Sequence, residues 1–232
     1  MPIKAVVFDL DGTISAFNLD YKTMRNQVKT MLEAKGVPSS LLSVNESVFE
    51  MLRETERWAR KSNKSQQFLA EIKDEALAIA EKHELEAASN TEVLPGVSET
   101  LRTLRNMDLK IGLCTINSEK SVNCILERFN LAEFFDVTIT RNQVANVKPH
   151  PEHIEAAMKV LDVGVEEVAV VGDSSVDMKS ASQLGAIAIG LPTGISKTEQ
   201  LVDGGANYIV TSILDLPELI QKINKPQQKC PE

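Results

Sequence analysis

The sequence predicts an α/β fold: a Rossmann-like parallel sheet with helices on both faces, interrupted after its first strand by an all-helical insert. Three observations carry this reading. From residue 98 onward, short runs of Val, Ile, Leu and Ala alternate with helical stretches, the pattern of a parallel sheet covered on both sides. The first apolar run, Val6-Val7-Phe8, stands alone at the N-terminus, ahead of a long helical stretch without a convincing strand. Polar residues recur where the apolar runs end, the edge at which open parallel sheets bind ligands.

Taken in order, residues 3–10 read as a fully buried strand bounded by an Asp-Gly turn. From about Leu19, Met24, Val28, Met31 and Leu32 recur at helical spacing, and Gly36-Val37-Pro38 supplies a stop. Two further helices are expected over 43–60, with Phe49, Leu52 and Trp58, and over 65–88, with Phe68, Ile72, Leu77 and Ile79. After Leu94-Pro95-Gly96-Val97 a helix is expected over 98–106. Then come a strand over 110–114, a helix over 118–129, a strand over 135–140 and a helix over 151–161. The alternation ends with a strand over 168–171, a helix over 177–184 and a strand over 186–189. The domain reading is therefore a discontinuous core, 1–16 and 92–224, around an insert, 17–91, with 225–232 as a polar, proline-bearing flexible tail.

Bulk properties narrow the function. A chain of 232 residues, 43% hydrophobic and 25% charged, can bury a full core. A net charge of −8 argues against nucleic-acid or membrane-surface binding by bulk attraction, so an anionic ligand would need a local positive site. Apolar runs fall far short of a bilayer span and the N-terminus has no signal-peptide pattern, so a cytoplasmic protein is expected. The three cysteines form no CxxC pair, and Cys114 reads as a reduced core thiol.

Four strand ends carry chemistry. Asp9 and Asp11, one residue apart before Gly12-Thr13, bring like charges close enough to ask for a cation or a shared proton. Thr115, after the 110–114 run, is placed to donate to an anion beside a helix N-terminus; Asn117 and Ser118 suit either that role or helix capping. Lys148, in Lys148-Pro149-His150-Pro151, reads as a fixed cation for phosphate, whereas His150 and His153 lack the further ligands of a histidine metal site. Gly172-Asp173 ends the 168–171 run and Asp177 follows four residues later. Oxygen ligands from Asp9 and Asp173 suit Mg²⁺, and Asp177 suits either that cluster or a helix N-terminus. In the insert, Lys22, Arg25, Lys29, Arg57, Arg60, Lys61 and Lys64 lie mostly at spacings of a solvated face, and Trp58 reads as insert core.

Together, Asp9-Leu10-Asp11-Gly12-Thr13, Thr115, Lys148-Pro149 and Gly172-Asp173 with Asp177 resemble the ordered motifs of the haloacid dehalogenase superfamily. The helical insert resembles the cap of its phosphoglycolate phosphatase-like branch. The resemblance implies a Mg²⁺-dependent phosphatase acting on a small phosphorylated metabolite. Asp9 would be the nucleophile, Asp11 the general acid and base, and Thr115, Asn117 and Lys148 the phosphate-binding groups. The Mg²⁺ ligands would be Asp9, the Asp11 carbonyl and Asp173, with Gly12, Thr13, Gly172 and Asp177 in support. Asp11 is absent from the dehalogenases of the superfamily, so cleavage of a carbon–halogen bond is disfavoured. Thr115-Ile116-Asn117 and Ser15-Ala16-Phe17 depart from the branch pattern and leave the substrate open. A phosphomutase and a catalytically silent phosphate-binding regulator are the alternatives, and a monomer or homodimer is expected.

Overall fold

A computed structural model of the chain describes residues 1–225; most of the expected tail, 226–232, lies outside the described residues. Contacts divide the chain into two compact units, one of Met1–Phe17 with the chain from Thr91 onward, the other Asn18–Asn90.

In the first unit, six strands of the described residues form one parallel sheet: β1 (Ala5–Phe8), β2 (Lys110–Cys114), β3 (Val137–Ile139), β4 (Val168–Gly172), β5 (Ile187–Gly190) and β6 (Tyr208–Ile209). Their order is β3-β2-β1-β4-β5-β6. The chain therefore winds outward from β1 in one direction and from β4 in the other, and the crevice for a ligand opens between those two. Every residue of β1 and β4 is buried, as uniformly apolar central strands require. Phe8 pairs with Leu113 on one side and Val171 on the other, so the next residues, Asp9, Cys114 and Gly172, follow side by side.

The helices are α4 (Val97–Asn106), α5 (Glu119–Arg128), α6 (Glu152–Leu161), α7 (Ser175–Leu184), α8 (Thr198–Asp203) and α9 (Leu216–Asn224). Ala5, Val7, Val168 and Val170 face a core shared with Ile154 and Leu161 of α6, Met178 of α7 and Leu201 of α8. Residues of the opposite parity, Phe8, Ile111 and Leu113, are also fully buried. Each such side chain contributes about 1.5–3 kcal/mol relative to exposure. The elements α8, β6 and α9 follow the last strand that the sequence pattern predicts. Several bounds shift: β1 is Ala5–Phe8, not 3–10, the helix expected over 43–60 begins at Val48, β3 is Val137–Ile139, not 135–140, and α7 starts at Ser175, which puts Asp177 inside its first turn.

The second unit contains α1 (Tyr21–Ala34), α2 (Val48–Lys61) and α3 (Gln66–Asn90). Met24, Val28 and Leu32 of α1 pack with Val48 and Met51 of α2 and Ile72, Ala76 and Ala80 of α3; half-buried Trp58 packs against this core. Asp20 and Ser47 cap α1 and α2 by accepting from the backbone N–H of Thr23 and Glu50. Lys29, Arg57 and Arg60 pair with Glu33, Glu54 and Glu56 one turn away, and Lys64 lies over the rings of Trp58 and Phe68. Arg25 stacks on Tyr21. The basic residues of this unit are thus largely spent on neighbours within it.

Candidate active site

The sheet register delivers Asp9, Thr115 and Asp173 from adjacent strand ends, and the loop before α6 brings Lys148 into the same place. The Lys148 side chain is almost wholly buried, and its ammonium donates to Asp9 Oδ1 at 2.6 Å, Asp177 Oδ1 at 2.6 Å and the Cys114 carbonyl at 2.7 Å. Burial alone would pull its pKa down, but Asp177 and Asp9 outweigh that effect and raise it. Lys148 is therefore a permanent charge with all its donors used.

Carboxylate oxygens of Asp9, Asp173 and Asp177 lie within 4.8 Å of one another. Burial, partly offset by Lys148, pushes Asp9 up to about 7; burial reinforced by Asp9 and Asp177 pushes Asp173 up to about 8. Asp177 is fully engaged: Oδ1 accepts from Lys148, while Oδ2 accepts from the N–H and hydroxyl of Ser174 at the start of α7. Asp177 therefore lies in the carboxylate group and also caps the helix start. Asp173 Oδ2 accepts from the Ile195 N–H at 2.6 Å. Among the described residues, Asp9 Oδ2 and Asp173 Oδ1 accept no hydrogen bond, and one ammonium faces three carboxylates.

Gly12 opens the turn after Asp11 with φ +81°, a conformation L side chains rarely adopt, and a Cβ there would stand 2.5 Å from Asp173 Oδ2. A Cβ on Gly172 would overlap the Asp177 side chain. Thr13 is fully buried, its hydroxyl unpartnered among the described residues. The half-buried Asp11 carboxylate accepts from Ser15 Oγ at 3.1 Å and Asn117 Nδ2 at 2.6 Å. Thr115 is buried, its N–H donating to the Ile139 carbonyl and its hydroxyl accepting from the Asn117 N–H at 3.2 Å. Ser118, not Asn117, caps α5.

His153 has a structural role. Its Nδ1 accepts from the Lys148 N–H at 3.4 Å, and Nε2, which then carries the hydrogen, donates to the Ile139 carbonyl at 3.2 Å. Burial, reinforced by Lys148, pushes its pKa down to about 4, so the ring stays neutral and braces the lysine loop. Cys114 donates to the His153 carbonyl, and burial pushes its thiol up to about 12, which leaves it a core residue.

Sequence reasoning missed the loop after β5. Thr193 donates its hydroxyl to the Gly12 carbonyl, Ile195 holds Asp173, and a Cβ on Gly194 would overlap the Asp173 carboxylate. The only available signal was a glycine just beyond a strand end. It also missed Arg141, buried at the end of β3, whose guanidinium donates to the Ile116 carbonyl at 3.1 Å.

The family profile of the haloacid dehalogenase-like hydrolases matches residues 3–185. The chain belongs to this hydrolase family. The haloacid dehalogenase-like chain is 30% identical over 128 residues to pyrophosphatase PpaX of Bacillus mycoides, 55% of this chain and 60% of that one, so it spans about 60% of that relative's length. It is 26% identical over 238 residues to phosphoglycolate phosphatase of Photorhabdus laumondii, covering 99% of this chain and 96% of the other. The crystal structure of β-phosphoglucomutase from Clostridium difficile superposes with TM-score 0.68 at 24% identity over 95% of this chain and 96% of that one, a likeness of fold. Among the described residues, no helix is long and apolar enough to cross a membrane.

Proposed function

We propose that this chain is a Mg²⁺-dependent phosphatase that hydrolyses a small phosphate monoester through an aspartyl-phosphate on Asp9. The observation that carries this reading is the pairing of Asp9 with Lys148, which fixes one carboxylate oxygen and leaves the other without a protein donor among the described residues.

A divalent ion fits the donor set. Ionising all three carboxylates against one ammonium would leave two negative charges uncompensated, and the unpartnered oxygens of Asp9 and Asp173 are hard donors of the kind Mg²⁺ takes. Asp9, Asp173 and the Asp11 main-chain carbonyl would hold it. When bound, it supplies charge stabilisation to the transferring phosphoryl group.

The chain's own residues do the rest. The Asp9 carboxylate attacks phosphorus while the Asp11 carboxyl proton passes to the departing oxygen; the P–O ester bond breaks as the Asp9 O–P bond forms. Asp11, now a carboxylate, then takes a proton from water as it attacks the acyl phosphate and restores Asp9. Lys148 offsets charge on Asp9 and the phosphoryl oxygens, and Thr115 donates to one of those oxygens. Pyrophosphate and phosphoglycolate, named by the relatives, are two members of the substrate panel that tests this.

The test is phosphate release from phosphorylated sugars, short acids, nucleotides and pyrophosphate with Mg²⁺, comparing the natural chain with Asp9→Asn. Release that stops in Asp9→Asn with folding intact supports the reading; release at the natural rate in that variant sinks it. An isomerised sugar phosphate in place of free phosphate would instead identify a mutase.

A further inference from the structure

We propose that Asn117 is a positioning residue that holds the Asp11 carboxyl by donating from its side-chain amide, and that it acts through Asp11 without contacting the phosphoryl group. This rests on the phosphatase reading above and names how its acid is aimed.

The geometry is specific. Asn117 Nδ2 lies 2.6 Å from Asp11 Oδ2, across 106 positions of sequence, and the asparagine is only 5% exposed, so it has little room to turn to another partner. Its backbone is fixed at both ends: the N–H donates to Thr115 Oγ1 at 3.2 Å, and the carbonyl accepts from the Arg141 N–H at 3.3 Å. The Arg141 guanidinium donates to the neighbouring Ile116 carbonyl at 3.1 Å, so the short loop after β2 is held against the end of β3. A rigid loop carrying one amide onto one carboxylate oxygen is a means of orientation.

An amide N–H donates and cannot accept, so Asn117 engages Oδ2 as an acceptor and fixes the plane of the Asp11 carboxyl. Oδ1 accepts from the Ser15 hydroxyl at 3.1 Å, a second contact on the same carboxyl. Asn117 thereby orients the Asp11 carboxyl toward the leaving group.

Leaving groups supply a test that a structural role would not pass. Expulsion of p-nitrophenolate needs little protonation, whereas expulsion of an alkoxide needs it fully. For Asn117→Ala, kcat/KM on glycerol 2-phosphate is expected to fall about 100-fold, the lower end of what general acid catalysis contributes, and on p-nitrophenyl phosphate less than about 3-fold. Inhibition by inorganic phosphate should be unchanged. In an Asp11→Ala background the Asn117→Ala change should cost nothing more on either ester.

Equal losses on both esters, weaker phosphate inhibition or additive losses in the double variant would overturn the proposal. Thermal unfolding is measured alongside; if Asn117→Ala does not fold, Asn117→Ser carries the same comparison. Asp9→Asn on the same two esters keeps the readings apart: activity surviving there overturns the phosphatase mechanism, whereas equal losses in the Asn117 variants overturn only the role of Asn117.

Discussion

The Lys148 ammonium stands 2.6 Å from Asp177 Oδ1, and both side chains are almost completely buried. The second oxygen of Asp177 caps the helix that begins at Ser175, so one carboxylate ties the site's cation to the frame of the sheet.

Removing that cation leaves Asp9 and Asp177 buried without their partner. Lys148→Met is therefore expected to lose about 3–5 kcal/mol of stability in the metal-free protein. For a chain of this size that is a fall of roughly 10 °C in the thermal midpoint, read by calorimetry. Phosphate release should be lost in the same variant. A midpoint within about 2 °C of the natural chain would mean that Lys148 is not the principal counter-charge.

Gly194 leaves no space for a side chain beside the Asp173 carboxylate, and backbone of the Gly12 turn lies on the same side. Gly194→Ala must displace Asp173 or the turn. Mn²⁺ or Mg²⁺ affinity by titration calorimetry should fall about 10- to 100-fold, as for other groups that orient a metal ligand. Unaltered affinity would show that the loop after β5 has no part in holding Asp173.

Asp9 and Asp173 are raised to about 7 and about 8 from an ordinary 3.8, chiefly by burial. The folded state then binds more protons than the unfolded chain, so stability falls as pH rises through this window. His153, lowered to about 4 from 6.5 chiefly by burial, acts in the opposite sense, with its stability lost as pH falls from 6.5 through 4. Between pH 6.5 and 8 only the carboxylate effect remains. The midpoint of EDTA-treated protein should drop across that interval, and the stabilisation given by added Mg²⁺ should grow with pH. A midpoint that rises with pH in EDTA would contradict the electrostatics described here.

Much of this was legible in the sequence because it is written in runs and strand ends. Strands β1 and β4 are apolar without alternation, and their register places Asp9 beside the strand that carries Asp173. What was not legible depends on backbone or on distant pairing. Ile195 contributes an N–H and Gly194 an absence of side chain, neither of which leaves a residue-type signature. Asn117 reads as a phosphate ligand or a cap, because nothing near it in sequence reveals that its amide meets Asp11. Strand β6, two residues at the sheet edge, is too short to show a pattern.

The most direct measurement is rapid acid quenching of the enzyme during turnover of a ³²P-labelled ester with Mg²⁺, followed by peptide mapping. The account predicts label on the peptide that contains Asp9, formed and discharged at rates that support turnover and absent from Asp9→Asn. Turnover without any labelled protein, or label on another residue, would contradict it.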